Sequence, residues 1–300
     1  MGLVLHDSRE GQGSRGDPSR NESSTTFNRT KRLSDGKYDD DVYPLSKVVV
    51  SIRTRQARRF FGDNHFCSGV ILAPLFVMTS SHCLMNNRRV KYYSGVLVVI
   101  GGTYNRLKYI HGETFISPVS RTMLPDSFTM DNKEAVGLLK LSRPFPRTSH
   151  IAIAQLPTRP PLDGLLCNVL GWGQMYHGGP LASHMLYINV EIISREKCKK
   201  WLDVPQLSVL CAIGNPPTSP QQPCAGDLGS PLISNNIVYG VVAATVACET
   251  NHLPSIYTDV YSNVQWVQGK IVANAGSLLT LPALVVFSFG LIFYIFTYEE

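Results

Sequence analysis

The sequence predicts an all-β fold, because short apolar runs rich in β-branched residues recur along it beyond a polar N-terminal region. Examples are 48–52, 68–72 and 96–100, each bounded by residues that favour turns. Runs of this kind between Gly, Asn and Pro are typical of the strands of a sandwich or a barrel. A helical pattern occurs only at 262–274, where apolar residues approximate one face and Gly276 follows as a stop signal.

Length and charge set outer limits on the function. The 300 residues allow one large β domain or two ordinary ones. Part of the formal net charge of +6 lies in residues 1–32, which have almost no large apolar side chains and are predicted to be disordered. The sequence contains no basic helix interleaved with aromatic residues, which argues against nucleic acid as a partner.

Seven cysteines are spread along the chain: Cys67, Cys83, Cys167, Cys198, Cys211, Cys224 and Cys248. They lack the close spacing of a structural zinc site, so the sequence predicts disulfides and neither a metal nor a cofactor. Disulfides persist in oxidising compartments. The sequons at Asn21 and Asn28 predict glycosylation and agree with the secretory route.

The two ends of the chain bear on targeting. The apolar stretch at 1–5 is too short for the core of a signal peptide, although the cysteines favour export. Residues 277–298 are apolar and uncharged, and as a helix they would cross a hydrocarbon layer of about 30 Å. We therefore expect a C-terminal transmembrane segment. The alternative is a cleaved glycolipid-anchor signal, which small residues at 273–276 favour and the absence of a polar spacer disfavours.

Several blocks of sequence carry a more specific signal. They read FCSGVIL at 66–72, VMTSSHC at 77–83, EAVGLLKL at 134–141, LLCNVLGWG at 165–173 and CAGDLGSPL at 224–232. Their residues and their order resemble the trypsin-like, or chymotrypsin-fold, serine proteases. The resemblance implies two six-stranded antiparallel β-barrels with a C-terminal helix. It divides the chain into a prosegment at 1–32, a peptidase-like domain at 33–276 and the apolar segment at 277–298.

The same resemblance assigns the catalytic positions. His82 stands at the general base, Leu228 at the nucleophilic serine and Ala135 at the buried aspartate. A leucine has no hydroxyl for attack on a carbonyl carbon, and an alanine cannot orient the histidine. His82 therefore either keeps the place of a base or is an ordinary packed or solvent-facing histidine beside a disulfide.

Two further features of a protease site fall on identifiable positions. The oxyanion hole of the family uses backbone N–H groups, here those of Gly226 and Leu228, which need no particular side chain. The substrate pocket falls on Gln222, Ala244, Thr245 and Ser255. Gln222 replaces the carboxylate that would hold Arg or Lys, and side chains in place of glycines narrow the pocket.

The resemblance also places an activation site further towards the N-terminus. Arg32 and Leu33 stand where the family has a basic cleavage site. Cleavage after Arg32 would free the α-amino group of Leu33, which would then pair with Asp227. The residues after Leu33 depart from the family pattern. The alternatives are an exposed dibasic pair in a disordered tail and, for Asp227, an ordinary loop carboxylate hydrogen-bonded to the backbone.

The resemblance also implies a disulfide pattern. The expected bridges are Cys67–Cys83, Cys198–Cys211 and Cys224–Cys248. Cys167 is left over because its partner position in the family is Ser234 here. We expect Cys167 to be a buried free thiol, with an intermolecular bridge as the alternative.

Two hypotheses about function follow. The first, which the residues favour, is a serine protease homologue without catalysis that binds a protein partner such as an active protease or its substrate. The second is a weak trypsin-like endopeptidase that uses unconventional groups such as His82 and Ser230. Ser230 lies two residues beyond the nucleophile position, so we expect it to face away from His82. Either protein would be extracellular or anchored to a membrane through the secretory pathway.

Overall fold

The computed structural model describes residues 43–86, 88–128, 136–201, 208–217, 222–244 and 253–275. Within these ranges the chain forms two closed barrels, each of six antiparallel strands. The prediction of two six-stranded barrels is therefore confirmed. The predicted tail at 1–32 and the predicted apolar segment at 277–298 lie outside the described residues.

Strands β1 to β6 build the first barrel. They span Val49–Thr54, His65–Ala73, Phe76–Ser80, Leu97–Gly101, Phe115–Met123 and Val136–Leu141. Around the barrel they follow the order β1-β2-β3-β6-β5-β4. Strands β1 and β4 are buried along nearly their whole length, on both faces. Burial on both faces is the reason that the sequence shows unbroken apolar runs there instead of alternation.

The second barrel repeats this topology. Its strands β7 to β12 span Leu166–Gly171, Leu186–Ile193, Val209–Gly214, Pro231–Ser234, Ile237–Ala244 and Ser255–Asp259. Read from β7, the order around the barrel is β7-β8-β9-β12-β11-β10, which matches the first barrel. The connection between β9 and β10 carries the sequence block that contains Leu228.

Helices are short in the described part of the chain. Helix α1 is a single turn at Tyr43–Ser46, and α2 spans Arg195–Trp201. Helix α3 spans Val264–Asn274 after a 3₁₀ turn at Tyr261–Asn263, close to the predicted 262–274. No pattern predicted α2, because its seven residues are too few to display an apolar stripe. None of the described helices is long and apolar enough to span a membrane.

Buried apolar side chains form an interior in each barrel and a further cluster between the barrels. The cluster between them joins Phe76 of the first barrel to Trp172, Ile233 and Val241 of the second. Trp172 is fully buried, and its ring N–H donates to the Tyr104 carbonyl at 3.0 Å. Because full burial of one such side chain contributes about 1.5–3 kcal/mol, this cluster fixes the barrels against each other.

Two complete disulfides lie within the described residues. Cys67–Cys83 joins β2 to a 3₁₀ turn at Ser81–Leu84, and Cys198–Cys211 joins α2 to β9. Both are bridges that the family resemblance implied. Cys224 is also disulfide-bonded, and Cys248, its expected partner, lies outside the described residues.

Cys167 on β7 is a free, buried cysteine. Burial raises the pKa of its thiol to about 12, so the reactive thiolate is scarce at neutral pH. The register pairs Leu232 with Val169 and Ile233 with Asn168, and one further step sets Ser234 opposite Cys167. The position that would complete a bridge is thus occupied by a hydroxyl side chain.

Candidate active site

The turn that carries His82 is held at both ends. Ser80 caps the turn, and its hydroxyl accepts a hydrogen bond from the His82 backbone N–H at 3.4 Å. The disulfide of Cys83 ties the same turn to β2. The imidazole ring is half-buried and meets the Phe128 ring edge to face, with centroids 5.7 Å apart.

Leu228 lies against this turn. Its carbonyl oxygen accepts a hydrogen bond from the Ser68 backbone N–H at 2.8 Å and lies 3.5 Å from Cys83 Sγ. Its side chain is partly buried and packs against the interiors of both barrels. The structure therefore brings the loop of Leu228 and the turn of His82 together where the barrels meet.

The two side chains do not form a nucleophile and base. Leucine has neither a lone pair for attack nor a proton for His82 to remove. Ala135, which the resemblance places at the aspartate position, lies outside the described residues. The Ser80 hydroxyl lies 3.5 Å from His82 Nδ1, but a neutral hydroxyl does not stabilise an imidazolium as a carboxylate does.

Asp227 is fully buried beneath the loop. Its Oδ1 accepts a hydrogen bond from the Gly173 N–H at 2.9 Å, and its Oδ2 accepts one from the Cys224 N–H at 2.8 Å. A Cβ at Gly171 or at Gly173 would overlap a carboxylate oxygen of Asp227, which explains the glycines on either side of Trp172. The carboxylate orders the loop through backbone N–H groups. Arg32 and Leu33 lie outside the described residues, so the activation pairing stays a prediction.

Ser230 is fully buried and faces the second barrel. A Cβ at Gly171 of β7 would come within 2.5 Å of Ser230 Oγ, which places that hydroxyl against β7. Gly229, with a φ of +80°, turns the chain between Leu228 and Ser230. Within the described residues the Ser230 hydroxyl has no hydrogen-bond partner. Its position therefore separates it from solvent and from the chemistry expected of His82.

A buried polar chain that the sequence did not predict holds the other side of the loop. His65 Nε2 lies 3.1 Å from the Gly226 carbonyl oxygen, and His65 Nδ1 lies 2.8 Å from Ser51 Oγ. A carbonyl can only accept, so Nε2 carries the proton and the Ser51 hydroxyl donates to Nδ1. Arg53 Nε in turn donates to Ser51 Oγ at 2.8 Å. Burial, and then the charge of Arg53, lower the pKa of His65 to about 3, which keeps its ring neutral.

Two buried arginines extend this chain across the barrels. Arg53 donates to the Arg106 carbonyl at 2.8 Å, and Arg106 Nε donates to the Ala182 carbonyl at 2.7 Å. Burial, followed by the charge of Arg106, lowers the pKa of Arg53 to about 10, so its guanidinium stays charged at neutral pH. A single Arg or His in a strand or a turn gives no local signal for such contacts, which explains why the sequence did not reveal them.

The predicted substrate pocket is only partly described. Gln222 and Ser255 are buried, and Gln222 Nε2 donates to the Leu253 carbonyl. Ala244 ends β11, and Thr245 lies outside the described residues. Gln222 presents a neutral amide that already contacts the backbone, so it supplies no counter-charge for a basic substrate. The described residues contain no group of three or more His, Cys, Asp and Glu side chains that could hold a metal ion.

Gly226 and Leu228 supply the backbone positions predicted for an oxyanion hole. Gly226 has a φ of +95°, a backbone conformation that residues other than glycine rarely adopt. The hydrogen bond from His65 fixes its carbonyl group. The backbone of this part of the loop is therefore rigidly held, whatever side chain follows it.

Known proteins resemble this chain in sequence and in fold. The human protein described as Putative trypsin-6 is 26% identical over 213 residues, which cover 71% of this chain and 82% of that protein. Beta-fibrinogenase mucrofibrase-4 of Protobothrops mucrosquamatus is 30% identical over 216 residues, which cover 71% of this chain and 80% of that protein. The structure of human heparin binding protein has a TM-score of 0.64 at 24% identity and covers 78% of this chain and 95% of that chain.

The disulfides of the structure are consistent with an extracellular protein. A family model described as Trypsin matches residues 43–267. That match includes all twelve strands of the two barrels. The chain therefore belongs to the trypsin family of serine proteases.

Proposed function

We propose that this chain is a non-catalytic member of the trypsin family that acts as a protein-binding or regulatory module. The observation that carries the proposal is the position of Leu228, beside the His82 turn and packed against both barrel interiors. Where a family member needs a free hydroxyl, this chain has an aliphatic side chain that contributes to packing. In a comparable serine enzyme, loss of the nucleophile lowers turnover by about a millionfold.

Two further positions support this proposal. Ala135 at the aspartate position would leave His82 without an orienting carboxylate, which in a triad lowers turnover by about ten-thousandfold. Gln222 at the pocket would leave Arg and Lys substrates without a counter-charge. The nucleophile, the orienting acid and the pocket have thus all changed, while both six-stranded barrels are closed.

The alternative is a weak endopeptidase that uses His82 and Ser230. Against it, Ser230 is fully buried and its hydroxyl lies against β7. A nucleophile has to reach a substrate carbonyl and the general base at hydrogen-bond distance. Ser230 reaches neither without unfolding of the loop that Asp227 and His65 hold.

A fluorophosphonate probe separates the two functions. The full chain is incubated with the probe beside authentic trypsin, and labelled peptides are mapped by mass spectrometry. We expect no label on the chain and stoichiometric label on trypsin. A Ser230→Ala variant is the matched control, because covalent capture that disappears in this variant would establish an enzyme and refute the proposal.

The location and partner of the protein form part of the same proposal. The partner is a protein, such as an active protease or its substrate, and residues 277–298 anchor the chain in a membrane. Asn21 and Asn28 carry glycans. Release from membranes by a phosphatidylinositol-specific phospholipase would contradict the spanning anchor, and an unchanged mass after glycosidase treatment would contradict the glycans.

A further inference from the structure

We propose that three neighbouring loops of the first barrel bind a polypeptide segment that carries both acidic and large apolar side chains. The loops span 55–62, 88–96 and 107–112, and together we call them the basic-aromatic surface. This inference rests on the proposed function as a protein-binding module. It adds the surface that binds and the chemistry of the partner.

Contacts between the loops show that they form one surface. The rings of Phe61 and Tyr109 meet edge to face, with centroids 6.1 Å apart. The Arg55 backbone N–H donates to the Val96 carbonyl at 2.7 Å. The loop at 55–62 therefore lies between the other two and touches both.

Cations are concentrated on the basic-aromatic surface. Its exposed Lys and Arg side chains are Arg55, Arg58, Arg59, Arg88, Arg89, Lys91 and Lys108. The three loops contain neither Asp nor Glu. The adjacent Asp63 accepts hydrogen bonds from three successive backbone N–H groups at 58–60. A positive field of this extent speeds encounter with an acidic partner and selects against basic ones.

Large apolar side chains are exposed among these cations. The described residues include twelve large apolar side chains that are exposed, and six of them lie on these loops: Phe60, Val90, Tyr93, Val96, Tyr109 and Ile110. Tyr93 is 79% exposed and Phe60 is 56% exposed. Arg and aromatic residues are enriched at the energetic centres of protein interfaces. A sulfated polysaccharide needs only the charges, whereas the apolar area favours a polypeptide.

The surface is also held in shape before any partner binds. The Asp63 carboxylate fixes the turn that presents Arg58 and Arg59. The Asn86 side-chain oxygen accepts hydrogen bonds from the Arg88 and Val90 backbone N–H groups at 2.9 and 3.0 Å. Prior ordering lowers the entropy cost of binding, so a short segment suffices as a partner.

The test measures binding of synthetic peptides to the full chain at about 0.15 M salt. One array of randomised peptides combines Asp and Glu with Phe, Leu, Ile and Tyr, and a matched array carries Ser at the apolar positions. We expect members of the first array to bind at least tenfold more tightly than their Ser counterparts. We expect heparin, a purely polyanionic probe, not to displace them at equal charge concentration.

Charge variants locate the site. The triple variant R58E/R59E/R88E should weaken the best peptide at least tenfold. The triple variant K197E/K199E/K200E makes the same change in net charge on α2 of the second barrel and should alter binding less than about twofold. Equal losses in the two variants would show a general charge effect and overturn the site.

Apolar variants test the class of partner. Phe60→Ser with Tyr93→Ser should weaken peptide binding about fivefold. The matched control is Leu162→Ser with Leu166→Ser, at side chains that are also exposed, 67% and 57%. Thermal unfolding of every variant checks folding, and the single Arg58→Glu variant replaces any triple variant that does not fold.

Three further outcomes would overturn the proposal. They are no peptide binding up to about 1 mM, equal binding of the Ser-substituted array, and preference for heparin that the Phe60 and Tyr93 changes leave intact. The last outcome would assign the surface to a sulfated polysaccharide. The fluorophosphonate assay on the same preparation is an independent readout, because a labelled serine would refute the proposed function and leave the peptide result standing.

Discussion

The two sides of the loop around Leu228 differ in what they retain. On the interior side, Asp227 accepts hydrogen bonds from Gly173 and Cys224, and His65 holds the Gly226 carbonyl. The side towards His82 presents Leu228, a side chain without a reactive group. Contacts on the interior side order the loop, whereas a reactive group on the other side would serve only catalysis. The loop can therefore keep its fold whatever side chain stands at position 228.

The largest expected effect comes from removing the Asp227 carboxylate on the interior side of the loop. Asp227→Ala leaves the buried N–H groups of Gly173 and Cys224 without their acceptor. Each such group costs about 1–3 kcal/mol, so we expect the free energy of unfolding to fall by about 4 kcal/mol. Urea unfolding measures it. Asp227→Asn keeps one acceptor and should lose about half as much, and an Ala variant as stable as the wild type would contradict this account.

A second change adds a covalent link between β7 and β10, the strand that follows the loop. Ser234→Cys should form a disulfide with Cys167, because the β7–β10 register sets the two positions opposite each other. A disulfide typically stabilises a fold by about 2–4 kcal/mol. Non-reducing peptide mapping and urea unfolding provide the measurements, with Ser234→Ala as the control without a thiol. A Cys167 thiol that stays free after the variant is refolded under oxidising conditions would contradict this register.

The third effect is the pH dependence that His65 gives to the interior side. Burial, then Arg53, lowers the pKa of His65 from 6.5 to about 3. The unfolded chain takes up this proton near pH 6.5 and the folded chain does not. The contribution of His65 is therefore fully present above pH 6.5 and is lost as the pH falls from 6.5 towards 3. Between pH 6.5 and 5 we expect a loss of about 2 kcal/mol.

His65→Gln isolates the pH-dependent contribution of His65 to stability, because glutamine offers an N–H donor to the Gly226 carbonyl and does not titrate in this range. The variant should show a pH dependence smaller by about 2 kcal/mol between pH 6.5 and 5. A His65→Gln variant that follows the wild-type curve in urea unfolding would show that His65 is not the titrating group.

The smallest effect tests the side towards His82. Leu228→Ser removes a partly buried side chain, so we expect a cost of only about 1 kcal/mol and no peptidase activity. Leu228→Ser combined with Ala135→Asp should react with a fluorophosphonate, yet cleave Arg and Lys peptides poorly because of Gln222. Adding His82→Ala should abolish that labelling. Trypsin-like activity of the single variant would show that the aspartate or the pocket is misassigned.

Local patterns predicted individual elements of the fold. The apolar runs in β1, β2 and β4 predicted strands, and the pattern at 262–274 predicted α3 within a few residues. Ordered blocks of family sequence predicted the two barrels. They also implied the bridges Cys67–Cys83 and Cys198–Cys211, which the structure contains.

The sequence by itself determined which chemical groups are available. Position 228 carries no hydroxyl in any conformation, and position 222 carries no charge. It also determined that at least one cysteine has no partner within the chain, since seven cysteines cannot all pair with one another. These properties follow from residue type alone, so no fold can restore them.

Only the tertiary structure decided where those groups point and what holds them. The hydrogen bond from His65 to Gly226 joins residues 161 positions apart, and the burial of Ser230 against β7 brings together a loop and a strand that are distant in the sequence. The basic-aromatic surface likewise assembles from three loops. The periodicity of apolar residues reports the local conformation of one segment. These features arise from packing between distant segments, and such packing leaves no pattern in the sequence of either segment.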